Sequence, residues 1–170
     1  GYRFETRWAH RSNFDAQNLV VLAFSGGGTR AAAFSYGVLE TLRGIEVVGP
    51  GGRKFRMLDE VDLVTGVSGG SFTALAFGLY GNKLFDIYES SFLKRDVQGE
   101  LIARALNPGN WGALGSVNWG RSELAAQFYD EILFHGATFA DLDRGTGPQV
   151  LASATDISTG ARLGFTQSAF

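Results

Sequence analysis

Residues 61–70 read Val-Asp-Leu-Val-Thr-Gly-Val-Ser-Gly-Gly, a short apolar run that breaks into a glycine-rich turn. The run over residues 61–65 is typical of a strand in a parallel sheet. Residues 71–80 follow with apolar side chains on nearly every side, which predicts a buried helix. This part of the chain therefore predicts a strand, a sharp turn and a helix, the unit from which layered α/β folds are built.

A similar unit lies about 40 residues earlier in the chain. Residues 19–25 predict a buried parallel strand, three glycines follow, and residues 31–43 have apolar side chains at helical spacing. Strands that alternate with helices predict an α/β fold with a mainly parallel central sheet. The other predicted elements are a loop over residues 44–60 with a helical turn at 57–60, helices over 83–95, 100–106 and 121–133, an irregular loop over 107–120, a strand over 149–155, a turn over 156–160 and a hairpin strand over 163–166.

Composition limits the function classes. The 170 residues suit one domain, and 45% hydrophobic against 19% charged residues allow a sizeable core. The net charge of −2, with no block of like charge, argues against a nucleic-acid partner. The chain has no Cys, shows no cluster of metal-ligating side chains, and has no apolar run long enough to span a membrane.

The turn Gly66-Val67-Ser68-Gly69-Gly70 matches the pattern G-x-S-x-G. A serine on a tight strand-to-helix turn has a strained backbone, and side chains at the flanking positions would collide, so Gly66 and Gly70 would shape this nucleophile elbow. The turn exposes the hydroxyl, and the helix that follows favours negative charge beside it. Ser68 is therefore a candidate nucleophile, and the N–H of Gly69 is a candidate oxyanion donor. A tight turn in a glycine-rich protein is the alternative.

The loop Gly26-Gly27-Gly28-Thr29-Arg30 leaves several interpretations open. It is typical of a phosphate site, of a dinucleotide fingerprint with Ala31 in the third glycine position, of an oxyanion hole, or of a purely structural turn. A P-loop is excluded, because no Gly-Lys-[Ser/Thr] follows. In a parallel sheet both glycine turns meet at the carboxyl ends of the strands. An exposed serine beside unpaired N–H groups suits acyl transfer.

A Ser-His-Asp triad would need a histidine, and the chain has two, His10 and His135. His10 precedes the first predicted strand. His135 follows a predicted helix in a Phe-His-Gly turn, where we expect an exposed or helix-capping role. An ordinary α/β-hydrolase would place its catalytic histidine after an acid and late in the chain, which leaves room for a histidine beyond Phe170.

The chain resembles the patatin-like phospholipases over most of residues 19–170. The resemblance rests on the two glycine motifs at their spacing and on Ala154-Thr155-Asp156 with Thr159-Gly160 before a strand. It implies a three-layer α/β/α fold and a Ser-Asp dyad. It also implies hydrolysis of acyl esters of phospholipids and other lipids without a metal or other cofactor.

Carried over by position, the resemblance makes Ser68 the nucleophile. The family's dyad aspartate lies in an Asp-Gly-[Gly/Ala] motif, and no Asp of this chain precedes Gly, so we expect that aspartate after Phe170. Asp156 is interpreted as a turn-former. Both ends look cut, so we expect an N-terminal arm over residues 1–18 and an incomplete patatin-like domain over residues 19–170. The candidate oxyanion hole comprises Gly26, Gly27, Gly28, Arg30 and Gly69.

The expected partner is a lipid or acyl-ester substrate, with peripheral membrane contact as a further candidate. Trp8, Trp111 and Trp119 are typical of membrane interfaces but more often pack under loops. The basic stretch Arg53-Lys54-Phe55-Arg56 suits anionic head groups, although a solvated loop is the commoner outcome. Three alternatives stay open: a non-catalytic lipid- or partner-binding protein, a triad esterase, and a nucleotide- or phosphate-binding domain. The compartment is not indicated.

Overall fold

The computed structural model describes residues 18–110, 120–144 and 147–167. Trp8, His10, Trp111 and Trp119, with most of the predicted arm and of the loop over 107–120, lie outside the described residues. In chain order the elements are β1 (Val20–Phe24), α1 (Gly28–Gly44), β2 (Glu46–Val48), β3 (Lys54–Arg56), β4 (Val61–Val67), α2 (Gly69–Tyr80), α3 (Leu84–Tyr88), α4 (Val97–Leu106), α5 (Arg121–Tyr129), α6 (Phe139–Arg144), β5 (Gln149–Thr155) and β6 (Arg162–Thr166).

The main sheet has the strand order β1-β4-β5-β6. The first three strands are parallel, and β6 returns antiparallel to β5, so the predicted hairpin is confirmed. Strand β1 differs from the expected buried strand: it lies at an edge of this sheet in the described part of the chain, and Val21 is 44% exposed. An apolar run predicts a strand but does not specify whether both its edges and faces are covered.

Helix α2 packs against one face of the main sheet. Val64 and Val150 are fully buried on that face, and a Cβ placed on Gly78 would overlap Cγ2 of Val150. The Thr73 hydroxyl donates to the carbonyl oxygen of Ala32 at 3.1 Å, which joins α2 to α1. The prediction of a buried helix is confirmed, although α2 begins at Gly69, so that the turn after β4 is only one residue long.

The prediction of a loop over residues 44–60 is wrong in part. Strands β2 and β3 form an antiparallel hairpin in which Val47 pairs with Phe55. The glycine-rich stretch between the strands is its turn, where Gly51 and Gly52 adopt φ values of 73° and 77°. The predicted helical turn at Met57–Glu60 is present as a 3₁₀ turn. The many glycines indicated the turn but concealed the short strands on either side of it.

The chain divides into two compact units, Gly1–Phe85 with Phe139–Phe170, and Asp86–Thr138. The second unit is helical, and α3 and α5 both continue into π-helical turns, Glu89–Leu93 and Asp130–Phe134. Its core contains aromatic rings in contact, with centroids 5.3 Å apart for the tilted pair Tyr88 and Phe92 and 6.2 Å apart for the edge-to-face pair Phe92 and Tyr129. The three predicted helices of this region are confirmed, and α6 was not predicted. In the described residues no helix has the length and apolar character that a membrane span requires.

Candidate active site

Ser68 lies alone between the end of β4 and the start of α2. Its backbone has φ 50° and ψ −121°, a conformation that residues with a side chain seldom adopt. The Ser71 N–H donates to the carbonyl oxygen of Ser68 at 2.9 Å and closes the turn. Such a conformation costs about 1–3 kcal/mol and is often found at functional sites. The Ser68 side chain is exposed, as a nucleophile needs to be.

The glycines on both sides of Ser68 are required by space. A Cβ on Gly66 would lie 2.6 Å from Cα of Ser71, and a Cβ on Gly70 would lie 2.7 Å from the carbonyl oxygen of Ser25. Both neighbours are backbone atoms, which cannot move aside without shifting a helix or a strand end. The turn can therefore form at this position only with Gly66 and Gly70.

Gly69 brings the two glycine motifs into contact. A Cβ on Gly69 would overlap the carbonyl oxygen of Gly28 and would lie 2.8 Å from its carbonyl carbon. On the other side of the turn, a Cβ on Gly26 would lie 3.3 Å from Cβ of Ser68. The loop from Gly26 to Gly28 thus lies directly against Ser68, although 40 residues separate the motifs in the chain.

Two helices begin beside Ser68. Helix α1 starts at Gly28, after Gly27 with φ 143° and Gly28 with φ 64°, and α2 starts at Gly69. The first N–H groups of a helix have no partner inside the helix, and the helix dipole adds positive potential there. The N–H groups of Gly28 and Gly69, the first of α1 and α2, are therefore candidate donors to an anion or a polarised carbonyl oxygen next to the serine. Arg30 is exposed in the first turn of α1.

Asp156 forms the turn between β5 and β6, as predicted. Its carboxylate accepts hydrogen bonds from the backbone N–H of Ser158 at 2.8 Å and from the hydroxyls of Ser158 and Thr159 at 2.7 and 2.8 Å. These bonds lower the pKa of Asp156 to about 2, with the Ser158 hydroxyl as the largest cause. A carboxylate this strongly stabilised in its ionised form is a poor general base at neutral pH.

His135 has the capping role expected of it. It ends the π-helical turn after α5 in a left-handed conformation, with φ 53°, and its N–H donates to the carbonyl oxygen of Asp130 at 2.6 Å. Its side chain is exposed.

The hydroxyl of Ser71, in the first turn of α2, is a feature that the sequence does not reveal. It is buried and has no hydrogen-bond partner among the described residues.

No group of three or more His, Cys, Asp or Glu side chains that could hold a metal ion occurs in the described ranges.

Known proteins resemble this chain in family and in fold. The family model described as patatin-like phospholipase matches residues 22–166. A solved structure, human GIVD cytosolic phospholipase A2 in complex with methyl gamma-linolenyl fluorophosphonate, is similar at a TM-score of 0.54 and 19% identity. The match covers 96% of this chain and 25% of that chain. No curated protein matches.

The likeness to the phospholipase structure shows the fold. It is an α/β architecture with a mainly parallel central sheet and helices on both sides, so the predicted fold class is confirmed. The chain spans about a quarter of the length of that structure. The family match covers most of this chain and includes both glycine motifs. The chain therefore belongs to the patatin-like phospholipase family.

Proposed function

We propose that this chain carries the nucleophile and the oxyanion hole of a serine lipid acyl hydrolase. The observation that carries the proposal is the contact between Gly69 and Gly28, which brings the first turns of α1 and α2 together beside the exposed Ser68. Family membership supports an acyl ester of a lipid as the substrate. The proposed chemistry needs no metal or cofactor, because the nucleophile and the oxyanion donors are groups of the protein.

In the proposed reaction Oγ of Ser68 attacks the ester carbonyl carbon and loses its proton to a base. The carbonyl oxygen becomes an oxyanion, which accepts hydrogen bonds from the N–H groups of Gly27, Gly28 and Gly69. Collapse of this intermediate breaks the ester bond, and the leaving alcohol takes the proton from the base. Water then attacks the acyl-enzyme by the same route and releases the fatty acid.

The proposed base is an aspartate that forms a dyad with Ser68. Asp156 does not suit this role, because its carboxylate is occupied by three donors and its pKa is lowered to about 2. No Asp of the chain is followed by Gly, so we place the dyad aspartate outside residues 1–170. Arg30, exposed near the oxyanion loop, is proposed to support that loop or the developing charge.

The test compares two serines of one turn. Ser68→Ala and Ser71→Ala each remove a hydroxyl from the start of α2, and only Ser68 is proposed to react. In the complete protein, Ser68→Ala lowers the rate of hydrolysis of a short p-nitrophenyl ester by a factor on the order of 10³ or more. Ser71→Ala keeps the activity and, because it removes a buried unpaired hydroxyl, does not lower the thermal midpoint.

Three other outcomes separate the alternatives. Full activity in Ser68→Ala would refute the proposal. A folded wild-type protein that hydrolyses neither this ester nor phospholipid micelles would favour a non-catalytic lipid- or partner-binding protein. Activity that depends on both Ser68 and a histidine outside this chain would indicate a triad esterase in place of the dyad.

A further inference from the structure

The turn between β5 and β6 projects beyond the edge of the sheet at which Ser68 lies. Val67, the last residue of β4, pairs with Ser153 of β5. Strand β5 then continues to Thr155, and the turn residues 156–160 follow. At about 3.3 Å per residue, Asp156 stands about 10 Å beyond the level of Ser153. The turn therefore rises above the sheet beside the proposed nucleophile.

Hydrogen bonds hold this turn in one shape. Besides the three bonds to the Asp156 carboxylate, the Gly160 N–H donates to the carbonyl oxygen of Asp156 at 2.8 Å. The Asp156 N–H donates to the carbonyl oxygen of Ala161 at 2.8 Å, and the Ala161 N–H donates to the Thr159 hydroxyl at 3.2 Å. These polar groups are satisfied within the turn, so removing water from around them costs less than it would for unpaired groups.

Ile157 lies at the tip of the turn and is fully exposed, at 101% of its reference area. A rigid turn gives this branched apolar side chain no route back to the protein core, so water surrounds it in the isolated molecule. A single exposed apolar residue is common on protein surfaces. This one combines full exposure, a turn braced by its own hydrogen bonds and a position on the edge that carries Ser68. Val67, 47% exposed, adds apolar surface at the same edge.

We propose that the Ile157 tip inserts into the surface of a lipid bilayer and turns the Ser68 edge toward the membrane. This inference rests on the proposed function, since lipid presented at a membrane would then be the substrate. The contact is apolar: Ile157 enters the interface, and the ionised Asp156 stays at its base. An anionic bilayer is therefore not required, and zwitterionic lipid is the expected surface.

The test measures binding to phosphatidylcholine vesicles by sedimentation, with the complete protein carrying Ser68→Ala so that no lipid is consumed. Ile157→Ser lowers the vesicle partition coefficient about tenfold, the factor expected when an isoleucine side chain no longer leaves water. Val48→Ser is the matched control, because Val48 is also branched and 68% exposed but lies on β2, which belongs to the separate two-stranded sheet. Val48→Ser changes the vesicle partition coefficient by less than about twofold. Ile157→Leu, which keeps an apolar side chain at the tip, binds vesicles as the parent protein does. Thermal midpoints stay nearly unchanged, because both side chains are mostly exposed.

Equal binding of the Ile157→Ser and Val48→Ser proteins, or no binding of the parent protein, would overturn the inference.

Hydrolysis by protein with an intact Ser68 separates the two proposals. Ile157→Ser slows hydrolysis of phosphatidylcholine in vesicles and leaves a soluble short ester unaffected; equal loss on both would place Ile157 in the acyl site and overturn the inference. Binding that depends on Ile157 without any esterase activity would refute the proposed function alone. Esterase activity that depends on Ser68, together with vesicle binding that is unchanged in Ile157→Ser, would refute the inference alone.

Discussion

Gly69 has no room for a side chain because the backbone of Gly28 fills that space. A glycine in a G-x-S-x-G pattern is usually explained by its neighbours in the turn, as Gly66 is here, whereas Gly70 is constrained by Phe24 and Ser25 at the end of β1. At Gly69 the constraint comes from a loop 40 residues earlier in the chain. The sequence predicted both motifs and their meeting at one edge of the sheet. It could not predict this backbone contact, because packing between loops has no local sequence signal.

Two glycine substitutions separate steric from conformational effects at this contact. Gly69→Ala forces the Gly28 loop away from Ser68, whereas Gly28→Ala meets no atom within 4 Å but strains a backbone with φ 64°. We expect Gly28→Ala to lower the free energy of unfolding by about 1–2 kcal/mol and Gly69→Ala to lower it more. Urea titrations of the two variants measure the difference, and an equal effect would contradict the packing argument.

At the scale of elements, the turn over residues 156–160 was easier to predict than the hairpin of β2 and β3. Asp156, Ser158 and Thr159 satisfy the turn with their own side chains, so the local sequence is sufficient. The hairpin strands have only three residues each, and their pairing depends on Gly51 and Gly52 adopting positive φ values. In so short a stretch, alternation of apolar and polar residues cannot be distinguished from a loop.

The Asp156 turn also makes stability depend on pH. The pKa of Asp156 in the folded chain, about 2, lies below its ordinary value of 3.8, so the ionised carboxylate stabilises the folded chain above about pH 4. This contribution disappears as the pH falls from about 4 through about 2. Asp156→Asn should melt below wild type at neutral pH, and the gap between the two melting temperatures should close over that acidic range. Thermal scans at a series of pH values test this, and a gap that stays constant would exclude the carboxylate as its source.

For the whole molecule, strand β4 holds the first compact unit together. It pairs with β1 on one side and with β5 on the other, and β5 follows the entire helical unit Asp86–Thr138 in the chain. The sequence predicted the helices of that unit and the strand after it. It did not indicate that residues 86–138 form a separate unit, because a unit boundary depends on which helices pack together and not on any one helix.

Hydrogen exchange should reflect this arrangement. Amides of β4 and β5 are paired and lie beside the fully buried Val64 and Val150, so they open only with the whole unit. Amides of the β2–β3 hairpin, whose Val48 is exposed, open locally and exchange faster. Mass-spectrometric exchange of peptides covering Val61–Val67 and Glu46–Val48 makes the comparison. Faster exchange in β4 than in the hairpin would contradict the assigned core.

The positive φ of Ser68 opposes the thermal stability of the chain to the catalytic role proposed for this serine. Glycine adopts this conformation without the cost of about 1–3 kcal/mol that a serine bears there. Ser68→Gly should therefore raise the melting temperature, while Ser68→Ala, which keeps a Cβ, should not. Selection for thermal resistance alone would then favour loss of the proposed nucleophile, so a directed-evolution campaign on this protein has to screen for ester turnover in every round.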